Sequence, residues 1–111
     1  MNDDAHAREV LVDDDCIALV ARALSHPARV RILRLLAAQD ACMGGEIFSR
    51  LPLAQSTISQ HLRVLKEAGI VHATPRGTSM VYCIAEGPLS DLTRALEGLV
   101  AERPTCAAKE G

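Results

Sequence analysis

A stripe of polar side chains in one predicted helix is the group in this sequence best suited to bind another molecule. If residues 55–68 form a helix, its 3.6-residue period leaves one side apolar and gathers hydroxyl, amide and guanidinium groups on the other. These groups hydrogen-bond base edges and phosphates in the DNA major groove. The stripe therefore favours duplex DNA binding over catalysis, and it consists of Ser56, Ser59, Gln60 and Arg63.

The cysteines are the second group that could do chemistry. No basic start followed by an apolar run resembles a signal peptide, and no apolar stretch approaches the roughly 20 residues of a membrane span. We therefore expect a cytoplasmic protein without a membrane partner. In that compartment thiols stay reduced, so we expect free thiols rather than a disulfide framework. The four cysteines are Cys16, Cys42, Cys83 and Cys106.

Composition and charge narrow the function classes further. The chain has 111 residues with one Phe, one Tyr and no Trp, too few aromatic rings for a platform that stacks single-stranded bases. Its net charge of −2 is unevenly distributed, since residues 1–15 carry −5 and residues 50–76 carry +3. A local basic surface beside an acidic tail suits specific DNA binding with weak non-specific affinity, although charge alone favours the alternative that these are ordinary solvated faces.

The helices that position these residues follow from apolar spacing and helix breakers. We predict a first helix over residues 16–24, a central helix that begins at Pro27 and continues over 28–38, and a brief helix over 46–51. Pro52 separates the brief helix from the polar-faced helix over 55–68, which Gly69 ends.

A β-hairpin and a final helix complete the predicted domain. Residues 70–75 and 78–84 flank Arg76 and Gly77 and predict two paired strands. The last helix spans 88–103 with one leucine-rich side. The fold class is mainly α with a small β-hairpin (α+β): an acidic tail at 1–15, one domain at 16–103 and a second tail at 104–111.

Three segments in this order resemble the ArsR family of bacterial metal- and metalloid-responsive repressors: ALSHPARVRILRLL, LPLAQSTISQHLRVLKEAGIV and the hairpin sequence RGTSMVYCI. The likeness covers about residues 20–100. It implies a winged helix-turn-helix and a homodimer formed through the first and last helices. Each polar-faced helix would enter a major groove of a palindromic double-stranded operator, with no enzymatic activity and no constitutive cofactor.

The resemblance also assigns DNA-contact residues. Arg76, at the hairpin tip, would reach a phosphate or the minor groove. His61 has an alternative interpretation as a packing residue beside Leu62 and Leu65. Ala54 departs from similar sequences, which often have a serine that caps the recognition helix. The candidates are Gln55, Ser56, Thr57, Ser59, Gln60, His61, Arg63 and Arg76.

The resemblance implies release of DNA when a metal or metalloid binds, so the thiols are the candidate ligands of an inducer. Thiolates suit trivalent arsenic and antimony, which we expect as inducers. The arsenic-sensing branch has a Cys-Val-Cys pair where this chain reads ACMGGEI, so Cys42 is present and Gly44 replaces the second cysteine. We predict that Cys42 pairs with Cys16 of the partner subunit, with Cys106 as another candidate ligand. Cys83 is interpreted as a small core residue.

The sequence is compatible with other functions. A repressor that senses oxidants or reactive sulfur through a disulfide containing Cys42 is the main alternative. A thiol enzyme is disfavoured because no Cys-x-x-Cys motif appears, and a protein-interaction domain would not need the polar stripe. The family's Asp and His metal site on the last helix is disfavoured too, since Asp91 is present but no histidine follows His72.

Overall fold

The structure, a computed structural model, describes residues 13–102. Cys106 and nearly all of both predicted tails lie outside this range. Four α-helices, one 3-10 helix and a hairpin follow one another along the described chain. They are α1 (Asp14–Ala23), α2 (Pro27–Ala37), the 3-10 helix (Gly45–Ser49), α3 (Gln55–Glu67), β1 (Val71–Arg76), β2 (Ser79–Ile84) and α4 (Glu86–Glu102).

Helix boundaries follow local capping chemistry. Asp13 Oδ1 accepts a hydrogen bond from the Asp15 backbone N–H at 3.0 Å, so α1 begins two residues earlier than predicted. His26 Nδ1 accepts from the Ala28 N–H at 3.1 Å, and Pro27 occupies the first turn of α2. The brief helix forms as a 3-10 helix. The last helix begins at Glu86 rather than at Pro88, because a proline is tolerated within a first turn.

The apolar side of α3 forms the centre of the core. Ile58 and Leu65 are fully buried, together with Ile32 from α2 and Ile47 from the 3-10 helix. Leu89 and Leu92 of α4 pack against this cluster and are partly buried. Burial of these aliphatic side chains holds the helix-turn-helix, and the predicted division of α3 into an apolar and a polar side is confirmed.

The two strands pair antiparallel, with Val71 opposite Ile84 and Arg76 opposite Ser79. Gly77 lies at the turn with φ of +64°, and Gly69 follows α3 with φ of +76°, the conformation that favours glycine at turns and helix ends. The 3-10 helix, the recognition helix α3 that follows it and the two-stranded hairpin after α3 give the predicted winged helix-turn-helix, with the hairpin as its wing.

Candidate DNA-binding surface and thiol site

The exposed side of α3 brings together most of the residues predicted to contact DNA. Five of them line one open groove of about 680 Å³, which we call the recognition groove. All five are exposed. The groove therefore presents a continuous set of donors and acceptors, and its residues are Gln55, Ser56, Ser59, Gln60 and Arg63.

Thr57 and His61 lie away from this groove. Both are partly buried, and they share the flank of α3 between its polar and apolar sides. The His61 ring packs against the His26 ring, with 4.5 Å between the ring centroids. This contact supports the packing interpretation of His61. His61 therefore lies apart from the recognition groove, although the sequence analysis grouped it with the DNA-contact candidates.

The start of α3 has no side-chain cap. Ala54 occupies the N-cap position with extended backbone angles, and its side chain makes no hydrogen bond. Its carbonyl accepts from the N–H groups of Thr57 and Ile58, each at 3.0 Å. The helix begins here because Pro52 ends the preceding segment and the apolar side packs into the core, although a capping oxygen is missing.

Arg76 ends β1 and is exposed at the tip of the wing. The following Gly77 makes the reversal, and a Cβ there would meet nothing within 4 Å. The tip is therefore open on its outer side. A guanidinium group at such a tip suits contact with a phosphate or the minor groove.

Cys42 and Cys83 are joined by a disulfide, with their Cα atoms 4.7 Å apart. This corrects two predictions: that all four thiols are free, and that Cys83 serves only to fill the core. The cause lies in the backbone. Met43 and Tyr82 form an antiparallel bridge, so the preceding residue Cys42 lies directly across from Cys83. Cross-strand neighbours beside a hydrogen-bonded pair have the short Cα separation that a disulfide requires.

Sequence reasoning missed this pairing because the bridge involves a single residue on each side. The segment before Gly44 is too short to appear as a strand, and the two cysteines are 41 positions apart in the sequence. One signal was available. Cys42 and Gly44 flank Met43, a large apolar residue that the structure buries almost completely, and this alternation is typical of a short extended segment.

The disulfide opens onto a cleft between the wing and the segment before the 3-10 helix. This thiol cleft has a volume of about 430 Å³. Arg76 contributes to its wall, so the wing residue predicted to contact DNA and the sulfur pair border the same space. The other residues that line the cleft are Ala41, Thr74, Pro75 and Val81.

Cys16 is in a different environment. It is an exposed free cysteine on α1, its Sγ lies 3.9 Å from Asp13 Oδ2, and it borders an apolar groove with Ile17, Pro88 and Asp91. Within one chain, the structure joins Cys42 to Cys83 and leaves Cys16 as a free thiol in another place. In the described range 13–102, no group of three or more His, Cys, Asp or Glu side chains is arranged to hold a metal ion.

The last helix leaves an apolar side open. Leu96, Leu99 and Val100 of α4 are 51%, 69% and 60% exposed, and Leu19 of α1 is 47% exposed. α1 and α4 pack against each other, so these side chains belong to one end of the molecule. Apolar side chains exposed together in this way are typical of a protein interface.

Comparison with known proteins identifies the relatives of this chain. The profile of the family described as "Bacterial regulatory protein, arsR family" matches residues 26–73. An HTH-type transcriptional regulator of Mycobacterium tuberculosis is 39% identical over 80 residues, which cover 72% of this chain and 70% of the relative. The biofilm growth-associated repressor of Agrobacterium fabrum is 35% identical over 94 residues, covering 85% and 75% respectively.

A solved structure agrees with both relatives. The homodimeric winged helix-turn-helix DNA-binding domain of a Mycobacterium bovis protein is 34% identical, with a TM-score of 0.61 over 79% of this chain and 80% of the domain. These relatives are regulators rather than enzymes. Among the described residues, no helix is long and apolar enough to cross a membrane.

Proposed function

This chain belongs to the ArsR family of bacterial transcriptional regulators, and we propose that it is a homodimeric repressor that releases its operator when Cys42 and Cys83 are ligated. The recognition groove is the observation that carries the DNA-binding part of this proposal. Five exposed polar side chains on one side of a helix, with Arg76 on the adjacent wing, match the needs of major-groove contact.

The exposed ends of α1 and α4 support a homodimer. Leu96 and Leu99 of α4 are more than half exposed, and burying the remaining exposed part of each against a second copy contributes roughly half to two-thirds of the about 1.5–3 kcal/mol of full burial. The related Mycobacterium bovis domain is homodimeric. A two-fold dimer places two copies of α3 in successive major grooves, roughly 34 Å apart.

Selection of bound duplexes from a random DNA pool tests the DNA-binding part. We expect an imperfect palindrome with half-sites about one helical turn apart, and two protomers per duplex in sedimentation. We also expect the selected sequence upstream of the protein's own transcription unit. Recovery of no preferred duplex, or of single half-sites with one protomer, would contradict the proposed dimeric mode of binding.

Trivalent arsenic or antimony is the inducer that we propose for the thiol cleft. Two thiolates satisfy the preference of these soft ions for sulfur, and the Cα separation of 4.7 Å allows both sulfurs to reach one ion. Arsenous acid would bind the two thiols with release of two water molecules. The sequence-based pairing of Cys42 with Cys16 of the partner subunit is the untested alternative to this site within one chain, and Cys106 lies outside the described residues.

The position of the pair explains how ligation can alter DNA binding. Cys42 precedes the 3-10 helix, which leads into α3, whereas Cys83 belongs to the wing strand β2. A link between them therefore fixes the wing relative to the helix-turn-helix. If the ligand binds the geometry that mismatches the operator ten times more tightly than the geometry that fits it, the coupling free energy between ligand binding and DNA binding is about 1.4 kcal/mol.

Arsenite titration of the protein on its selected duplex tests this inducer. Wild type in reducing buffer should dissociate, and Cys42→Ser should bind DNA with wild-type affinity but remain bound as arsenite increases. Ser90→Ala, an exposed change on α4, serves as the matched control and should respond like wild type. Dissociation of Cys42→Ser at wild-type arsenite concentrations would falsify the role of Cys42.

An oxidant or reactive sulfur species is the second inducer class, and the disulfide itself favours it. Peroxide would oxidise the two thiols to the Cys42–Cys83 disulfide and be reduced to two water molecules. The two classes are distinguished by adding each agent separately to the reduced repressor–DNA complex. Release by peroxide alone, with two of the four thiols lost to thiol reagents, would select the redox mechanism. Release by arsenite alone would select the metalloid.

A further inference from the structure

Two imidazole rings meet where the start of α2 approaches the flank of α3. The rings of His26 and His61 lie 4.5 Å apart, inclined at 54°. Arg29, in the first turn of α2, is near enough for its positive charge to lower the pKa of His61. This group, which we call the His-Arg cluster, consists of His26, Arg29 and His61 and does not belong to the recognition groove.

Nothing in the described residues neutralises the cluster. Arg29 Nε is buried and makes no hydrogen bond within the described residues, whereas the terminal nitrogens of the same guanidinium group are not buried and are the atoms that an incoming anion can reach. The ion pair of the described range joins Arg94 to Asp91 on α4, so no carboxylate within residues 13–102 lies at ion-pair distance from Arg29. The positive charge of Arg29 at the start of α2 is therefore not balanced by a carboxylate among the described residues.

The hydrogen bonding of His26 leaves one ring nitrogen available. Its Nδ1 accepts from the Ala28 N–H and caps α2, so its Nε2 is the nitrogen that can donate elsewhere. His26 is exposed, and His61 precedes Leu62 on the flank next to Gln60 of the recognition groove. The start of an 11-residue helix adds backbone N–H groups and the positive end of its dipole.

We propose that the His-Arg cluster binds one phosphate of the DNA backbone beside each half-site. A phosphate oxygen would accept hydrogen bonds from the cluster and neutralise its charge, while the recognition groove contacts the bases. The cluster then fixes the register of α3 on the duplex without reading sequence. This proposal rests on the proposed function, because it requires that α3 approaches duplex DNA.

The electrostatic surroundings of His61 favour an approaching anion. Burial lowers the pKa of His61 below its usual value of 6.5, and the positive charges of His26 and Arg29 lower it further. A phosphate beside the ring would act in the opposite direction and favour the imidazolium. The cluster is therefore in an unfavourable electrostatic state without DNA and in a favourable one with it.

The dependence of operator affinity on salt concentration tests the proposal. Removing one phosphate interaction should reduce the slope of log K against log salt by about 0.9, so a dimer without this interaction in either half-site should show a reduction of about 2. We expect this reduction for Arg29→Gln, with an unchanged ratio of affinities for the selected and a scrambled duplex. Arg31→Gln, an exposed arginine of the same helix, should keep the wild-type slope.

Two further variants keep the test decisive if Arg29→Gln fails to fold. His26→Asn retains a capping oxygen for α2, and His61→Gln retains a polar side chain, so each removes an imidazole with little change to the fold. Both should weaken operator binding without changing the ratio of affinities for the selected and the scrambled duplex, because each removes a hydrogen-bonding group that faces the phosphate. Wild-type affinities for both histidine variants, with a wild-type slope for Arg29→Gln where it folds, would overturn the cluster proposal alone, whereas failure of wild type to bind any duplex would overturn the proposed function.

Discussion

Met43 and Tyr82 exchange two backbone hydrogen bonds, from the Met43 N–H to the Tyr82 carbonyl at 3.0 Å and from the Tyr82 N–H to the Met43 carbonyl at 2.7 Å. Met43 is almost fully buried, and the Tyr82 ring packs edge-on against Phe48 of the 3-10 helix. The bridge therefore ties the wing to the helix-turn-helix through backbone and core together. Any chemistry at the adjacent sulfurs acts at this junction.

Arg63→Ala should weaken operator binding by about 1–3 kcal/mol per half-site if the guanidinium group reads a guanine. Arg63 lies in the recognition groove and is exposed, so its removal leaves the core intact. The measurement is a fluorescence anisotropy titration against the selected duplex, with Arg94→Ala on α4 as a control that removes the same charge elsewhere. Equal affinities for Arg63→Ala and wild type would remove Arg63 from the interface.

Much of the fold could be predicted from sequence because strong periodicity marks its elements. The apolar sides of α2 and α3, the break at Pro52 and the turn at Gly77 all lie where spacing and breakers place them. Cys83 shows where this reasoning ends. Its partner Cys42 lies 41 positions away and is selected by the single backbone bridge between Met43 and Tyr82, a contact that leaves no periodic pattern in the sequence. The contact between the His26 and His61 rings is also long-range and leaves no such pattern.

Leu96→Asp should produce monomers or insoluble protein. Leu96 is 51% exposed in the single chain, and a carboxylate in a buried apolar interface would lose its hydration without compensation. Sedimentation velocity at several concentrations gives the measurement. Ser90→Asp introduces the same group on another side of α4 and should remain dimeric, whereas a soluble dimeric Leu96→Asp protein would place the interface elsewhere.

Ala54→Ser should raise the free energy of unfolding by about 1 kcal/mol. The extended backbone at Ala54 has φ of −65° and ψ of 148°, so a serine hydroxyl there can accept from an unpaired N–H in the first turn of α3. Urea unfolding of both proteins measures the difference. Ala41→Ser, at an exposed position outside any helix start, should leave the midpoint unchanged; an equal shift in both variants would exclude capping as the cause.

The free energy of unfolding should fall as pH decreases from about 7 to 5, in part through His61. The folded state lowers the pKa of His61 by burial, then by the charges of His26 and Arg29. Its contribution is therefore present above the unfolded pKa of about 6.5 and is lost as the ring becomes protonated. His61→Gln should flatten the pH profile measured by urea unfolding. Identical profiles for His61→Gln and wild type would contradict this assignment.

The sensing site that we propose lies within one protomer, between the wing and the segment before the 3-10 helix. Arsenite and peroxide titrations of the repressor–DNA complexes formed by Cys83→Ser and by Cys16→Ser test this location. Cys83→Ser should bind DNA but no longer respond to the agent that releases wild type, while Cys16→Ser should respond normally. A responsive Cys83→Ser protein together with an unresponsive Cys16→Ser protein would instead place the site between subunits.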